Sequence, residues 1–97
     1  MSNEKKKELR LGRVVATQGI DFALGEPQYA KEICRAFSRY KNLDWGDLGE
    51  EDKKANEDAL ENGDDRILAA YDTSRGKIYI ITEWDRSYTT IMFADEY

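Results

Sequence analysis

Lys77-Ile78-Tyr79-Ile80-Ile81-Thr82-Glu83-Trp84 is the stretch whose reading decides the fold. Side chains alternate along a strand, so Ile78, Ile80, Thr82 and Trp84 share one face and Tyr79, Ile81 and Glu83 the other. Both faces are apolar near the centre, which places this strand inside a sheet rather than at its edge. Upstream, Ile67 to Asp72 reads as a strand joined to it by the turn Thr73-Ser74-Arg75-Gly76. Downstream, Asp85-Arg86-Ser87 turns the chain and Tyr88 to Ala94 makes the last strand. Leu9 to Thr17, with Leu11, Val14 and Val15, supplies a first strand that ends at Gln18-Gly19, and Ile20 to Leu24 reads as a short helical turn.

Two helices lie between the first strand and the rest. Pro27 suits the first turn of a helix, where its missing N–H costs nothing. From there Tyr29, Ala30, Ile33, Cys34, Phe37 and Tyr40 recur at three- and four-residue spacing, an amphipathic stripe that also makes Cys34 a small core residue. Asn42-Leu43-Asp44-Trp45-Gly46 breaks that helix. Asp47 then reads as the N-cap of a second one, with Glu50 three residues later as in a capping box, and Asn62-Gly63 stops it after Glu61. Asn56 sits beside the thin apolar stripe Leu48, Ala55, Ala59, Leu60, partly buried and bonded to a loop. The order β-α-α-β-β-β is that of an α+β domain: an antiparallel sheet of about four strands with two helices packed on one face. Ile33, Phe37, Ile78, Ile80, Ile91 and Phe93 are its expected core. Residues 1–8 read as a flexible basic tail and residues 9–97 as a single α+β domain, since 97 residues leave room for one core.

Composition narrows the chemistry. The chain has one cysteine and no histidine, so neither an intrachain disulfide nor an ordinary zinc site is expected, and no motif calls for a cofactor. Met1-Ser2-Asn3-Glu4-Lys5-Lys6-Lys7 lacks the apolar run of a signal peptide. No stretch approaches the roughly 18 apolar residues that cross a bilayer, so the expected location is cytoplasmic with no membrane contact. Net charge is −5, distributed unevenly. Asp44 to Asp65 holds ten acids against two lysines, whereas residues 1–13 hold five basic residues against two acids. Direct binding of nucleic acid is not expected from that balance.

Four clusters carry the candidate function. Around Asp44-Trp45-Gly46-Asp47-Leu48, Trp45 either anchors a protein partner, as interface tryptophans do, or plugs the end of the core while Asp47 caps the helix. Asp44, Asp47 and Glu50 offer a further reading as oxygen ligands for Mg²⁺ or Ca²⁺, the basis of a small carboxylate-dependent, metal-using enzyme. The acidic helix, with Glu50, Glu51, Glu57, Asp58 and Glu61, either mimics nucleic-acid phosphates toward a basic partner or is a solvated face kept soluble by charge. At the hairpin tip, Glu83, Asp85 and Arg86 form a secondary candidate. Asp85 and Ser87 are also ordinary turn residues, Trp84 and Tyr88 can pair across the strands, and Arg86 can bridge to an acid. Ser87 has no histidine to activate it. Last, Lys31, Arg35, Arg39 and Lys41 make one helix face basic, the feature a nucleic-acid-binding regulator would use.

Asp44-Trp45-Gly46-Asp47-Leu48 with Glu51-Asp52-Lys53 and Asn56, followed by Thr82-Glu83, Asp85-Arg86-Ser87 and Thr89-Thr90, resembles a family of small uncharacterised bacterial proteins. They are found on plasmids, phages and integrative elements and are often labelled plasmid-related. The resemblance covers roughly residues 10–97. It brings no activity with it, and where members often carry a histidine just before the tryptophan motif this chain has Tyr40 and Lys41. A mobile-element origin implies an inhibitor of host defence, of anti-CRISPR or antirestriction type. The expected function is therefore a non-enzymatic protein-interaction module whose acidic surface meets nucleic-acid-handling machinery. The oligomeric state is left open.

Overall fold

The computed structural model describes residues 8–97, so the first seven residues of the expected tail lie outside it. The elements are β1 (Arg13–Ala16), α1 (Gln18–Ala23), α2 (Pro27–Lys41), α3 (Glu50–Asn62), β2 (Ile67–Thr73), β3 (Gly76–Thr82) and β4 (Tyr88–Phe93), with a closing 3-10 turn over Ala94–Glu96. The fold is α+β, a four-stranded sheet in the order β1-β4-β3-β2. β3 lies in the interior, as its two apolar faces require.

The sheet is mixed rather than antiparallel throughout. β2, β3 and β4 pair antiparallel, but β1 runs parallel to β4, with Arg13 beside Tyr88 and Ala16 beside Ile91. The cause is α2. Its N-terminal Tyr29 bonds Thr73 at one end of the sheet, and its C-terminal Tyr40 reaches the Ile67 carbonyl at the other. The helix thus returns the chain to the end at which β1 began. Two hairpin reversals later, β4 runs in the direction of β1.

One face of the sheet presents Ala69, Ile80 and Ile91 in register, flanked by Ile67, Tyr71 and Ile78, and α2 covers it with Tyr29, Ile33, Ala36 and Tyr40. Of the expected core, Ile33, Ile78, Ile80 and Ile91 are buried, whereas Phe37 and Phe93 pack half-buried against it. Cys34 is exposed, not core. The buried stripe steps from Ile33 to Ala36, and one residue's rotation carries Cys34 off it. Trp84 lies outside the sheet as well. β3 ends at Thr82, the strand alternation stops there, and the indole is 61% exposed.

At the centre of the core runs a chain of hydroxyls. Thr89 Oγ1 donates to the Leu11 carbonyl at 2.7 Å, so Thr82 must donate to Thr89 (2.8 Å) and Tyr40 to Thr82 (2.6 Å). All three residues are fully buried, and burial pushes the Tyr40 phenol up to about 12. The chain pins Leu11, just ahead of β1, to β4 and α2.

Candidate interaction surface

The corner Asp44-Trp45-Gly46-Asp47 closes one edge of the sheet. Gly46 bridges to Ala70 of β2. Its φ is +77°, and a Cβ there would stand 1.9 Å from the Ala70 carbonyl oxygen, so only glycine fits. Ala70 N–H donates to the Trp45 carbonyl (3.3 Å) and Asp47 N–H to the Ala70 carbonyl (2.7 Å). One step along the same edge, Asn56 of α3 accepts from Leu68 N–H (3.2 Å) and donates to the Leu68 carbonyl (2.8 Å). Its buried amide thus occupies the place of a neighbouring strand, where a loop contact was expected.

This pairing overturns the helix-capping reading of Asp47. The chain at Asp47 still bonds the sheet, so α3 starts only at Glu50, with Gly49 as N-cap and no side-chain cap bond. The Asp47 carboxylate turns instead to Lys77 at 3.1 Å, which holds it below the usual carboxylate range. Asp44 accepts two bonds from Arg39, at 2.8 and 3.3 Å, and one from Gly46 N–H, and its pKa is lowered by them in that order. Glu50 stands near Lys53. Asp44, Asp47 and Glu50 therefore face different partners, and among the described residues no three acidic, Cys or His side chains group closely enough to hold a metal ion. Trp45 is 3% exposed, edge-on to Tyr40, and its indole N–H donates to Glu57 at 2.8 Å. It completes the core and offers no face to a partner. Glu57 is half-buried by the same contact.

The hairpin tip is equally committed to architecture. Arg86, with φ at 60°, makes no salt bridge among the described residues. Its Nη1 donates to the carbonyls of Asp65 (2.6 Å), Trp84 (3.1 Å) and Glu83 (3.2 Å), and its Nη2 to that of Ala59 (2.9 Å). One guanidinium therefore ties the β3–β4 turn to the end of α3. Asp85 accepts from Ser87 N–H and hydroxyl, which closes the turn and lowers its pKa. No ring contact joins Trp84 to Tyr88 among the described residues.

What remains outward is a charged face. Glu50, Glu51, Asp52, Asp58, Glu61, Asp64 and Asp65 are all exposed. Lys54 pairs with Asp58 at 3.2 Å. Among the described residues no basic side chain pairs with Glu51, Asp52, Glu61 or Asp64. Beside this face, between α3 and the start of β2, opens a cleft of about 390 Å³ whose lining combines the apolar Leu48, Ala55 and Leu68 with Asp52 and Asp65. Arg66, also in the lining, is drawn to Tyr97, over whose ring it sits and whose hydroxyl it bonds. The main-chain carbonyls of Asp65 and Trp84 share one Arg86 nitrogen, which brings the backbone of the hairpin tip beside the turn after α3, and the Trp84 side chain is exposed. The sequence left Trp45 open between core and partner contact and placed Trp84 on a face of the strand. The available signal was the turn residue Asp85 directly after Trp84, which ends the strand before the indole can join it.

On α2, Lys31 and Arg35 are exposed, but Arg39 is engaged by Asp44 and Lys41 lies over the Phe37 ring. No helix among the described residues is long and apolar enough to cross a membrane. Comparison with protein-family models, with curated proteins and with solved structures finds no match.

Proposed function

We propose that this chain is a non-enzymatic protein-interaction module that docks through the outer face of α3 on a basic surface of a nucleic-acid-handling protein. The observation that carries the reading is the exposure of Glu50, Glu51, Asp52, Asp58, Glu61, Asp64 and Asp65 along one helix and the turn that follows it. Carboxylates in a row release counterions from a basic groove as phosphates do. The apolar part of the lining of the adjoining cleft fits the aliphatic stem of an arginine or lysine, whose head then meets Asp52 and Asp65. Trp84, exposed on the turn whose backbone Arg86 ties to Asp65, supplies an aromatic side chain of the kind that anchors interfaces.

The test uses an arginine-rich peptide as probe and duplex DNA as its counterpart. Wild type should bind the peptide, more weakly as salt rises, and leave the DNA free. Glu51, Asp58 and Glu61 changed together to lysine should lose at least about tenfold in affinity. Asp21, Glu26 and Asp95 changed to lysine alter net charge equally but lie off α3, and should lose much less. Equal losses in the two triple variants would reduce the effect to net charge and end the proposal. So would binding of the DNA in place of the peptide.

A further inference from the structure

The two edges of the sheet are treated differently. Along β2, Asn56 satisfies Leu68 and the Trp45–Asp47 backbone satisfies Ala70. Along β1 nothing among the described residues does the same. Arg13 N–H and Thr17 N–H donate inward, to Ser87 and Ile91 of the β4 side. Val14 and Ala16, of opposite parity, therefore aim their N–H and C=O groups away from the sheet. Both residues are exposed, Val14 to 45%. No proline interrupts Arg13-Val14-Val15-Ala16, its register with β4 is continuous, and α1 packs more on β4 than on β1. Such an edge is a template for another strand.

We propose that the strand it receives is β1 of a second copy of this chain, paired antiparallel about a two-fold axis at Val15, so that two sheets become one. Each Val14 then exchanges its N–H and C=O with Ala16 of the facing copy. Charge selects this orientation. The start of β1 is basic, with exposed Arg10 and Arg13, and its end is acidic, with Asp21 on α1 and Glu96, which accepts the Thr17 hydroxyl at 2.7 Å. In the antiparallel register Arg13 stands opposite Thr17 of the other copy, and so against its Glu96, twice by symmetry. A parallel arrangement would set like charges together. Since α3 packs along β2, the far edge, the dimer keeps both acidic faces open at its two ends. An interface built on one short strand belongs to the small, transient class, below about 1,200 Å².

Sedimentation equilibrium of the full chain, run at low salt over a concentration series into the high-micromolar range, tests the pairing. Wild type should follow a monomer–dimer equilibrium, with amide exchange at Val14 and Ala16 slowing as concentration rises. Val14→Pro removes an N–H that faces away from β4 and should abolish the dimer. Arg13→Glu, at an exposed position, should weaken it about tenfold while leaving the thermal midpoint unchanged. If Val14→Pro fails to fold, Arg13→Glu alone decides. A wild type that stays monomeric throughout overturns the proposal, as does a dimer whose affinity neither substitution lowers.

Discussion

Arg86→Met keeps the aliphatic stem of the side chain and removes all its donors. Of the four carbonyls it releases, those of Asp65 and Trp84 are exposed and regain water, at little cost. Those of Glu83 and Ala59 are part-buried, but each keeps a backbone donor, Arg86 N–H at 2.9 Å and Gly63 N–H at 2.7 Å. The loss is therefore two charge-assisted bonds without an orphaned acceptor. At about 1.5 kcal/mol each, the low end of their range, this comes to about 3 kcal/mol. In urea, with a slope of about 1–3 kcal/mol per molar for a small domain, the midpoint should fall by about 1–3 M at constant slope. Arg86→Lys retains the charge but reaches one carbonyl at a time, and should recover only about 1 kcal/mol. Hydrogen exchange adds a local readout, because the Gly63 amide at the end of α3 should open before the sheet does. A midpoint for Arg86→Met equal to that of wild type would show that the guanidinium does not hold the hairpin to the helix.

Two other substitutions probe the corner that closes β2. Gly46→Ala combines a positive φ with a Cβ 1.9 Å from a backbone oxygen, so the bridge to Ala70 must break; the expected loss is at least about 3 kcal/mol by chemical denaturation, and a loss below 1 kcal/mol would refute the close approach. Asp44→Asn tests the Arg39 contact by pH: a depressed carboxyl stabilises fully above its ordinary pKa and loses that contribution as pH falls through the lowered one, so the wild-type advantage present at pH 7 should begin to shrink near pH ~4 and be gone only below the lowered pKa, and a gap that stays constant with pH would assign the effect to something other than the charge.

The parts of the fold legible in the sequence are those fixed by local period. The stripe after Pro27 gives α2 nearly to the residue, and the two apolar faces of β3 give its interior position. Contacts distant in the chain were not legible. The direction of β1 depends on where a crossover helix returns the chain. A capping-box pattern at Asp47 cannot register that Ala70, far along the sequence, already holds its N–H. The two tryptophans show the same limit. Each adjoins an acid, Asp44-Trp45 and Trp84-Asp85, yet one is sealed against Tyr40 and the other stands in solvent. Alternation extended past Thr82 puts Trp84 in the sheet, but the strand ends two residues before it, and for Trp45 the sequence left core and partner contact both open.

The two motifs most recognisable in this sequence therefore act in construction. Asp44-Trp45-Gly46-Asp47 together with Asn56 closes the β2 edge, and Thr82, Asp85, Arg86 and Thr89 join hairpin, helix end and buried hydroxyls. Motifs that build a scaffold say nothing by themselves about a partner. What the scaffold does determine is which surfaces remain available. By closing β2 with α3 it turns the acids of that helix outward, and through Arg86 it ties the hairpin-tip backbone to the turn that follows them. By leaving β1 unclosed it keeps the opposite edge for a strand. The acidic face and the open edge lie at opposite ends of one sheet, so occupation of either leaves the other accessible, and an acidic module of this shape can present its charged face in pairs.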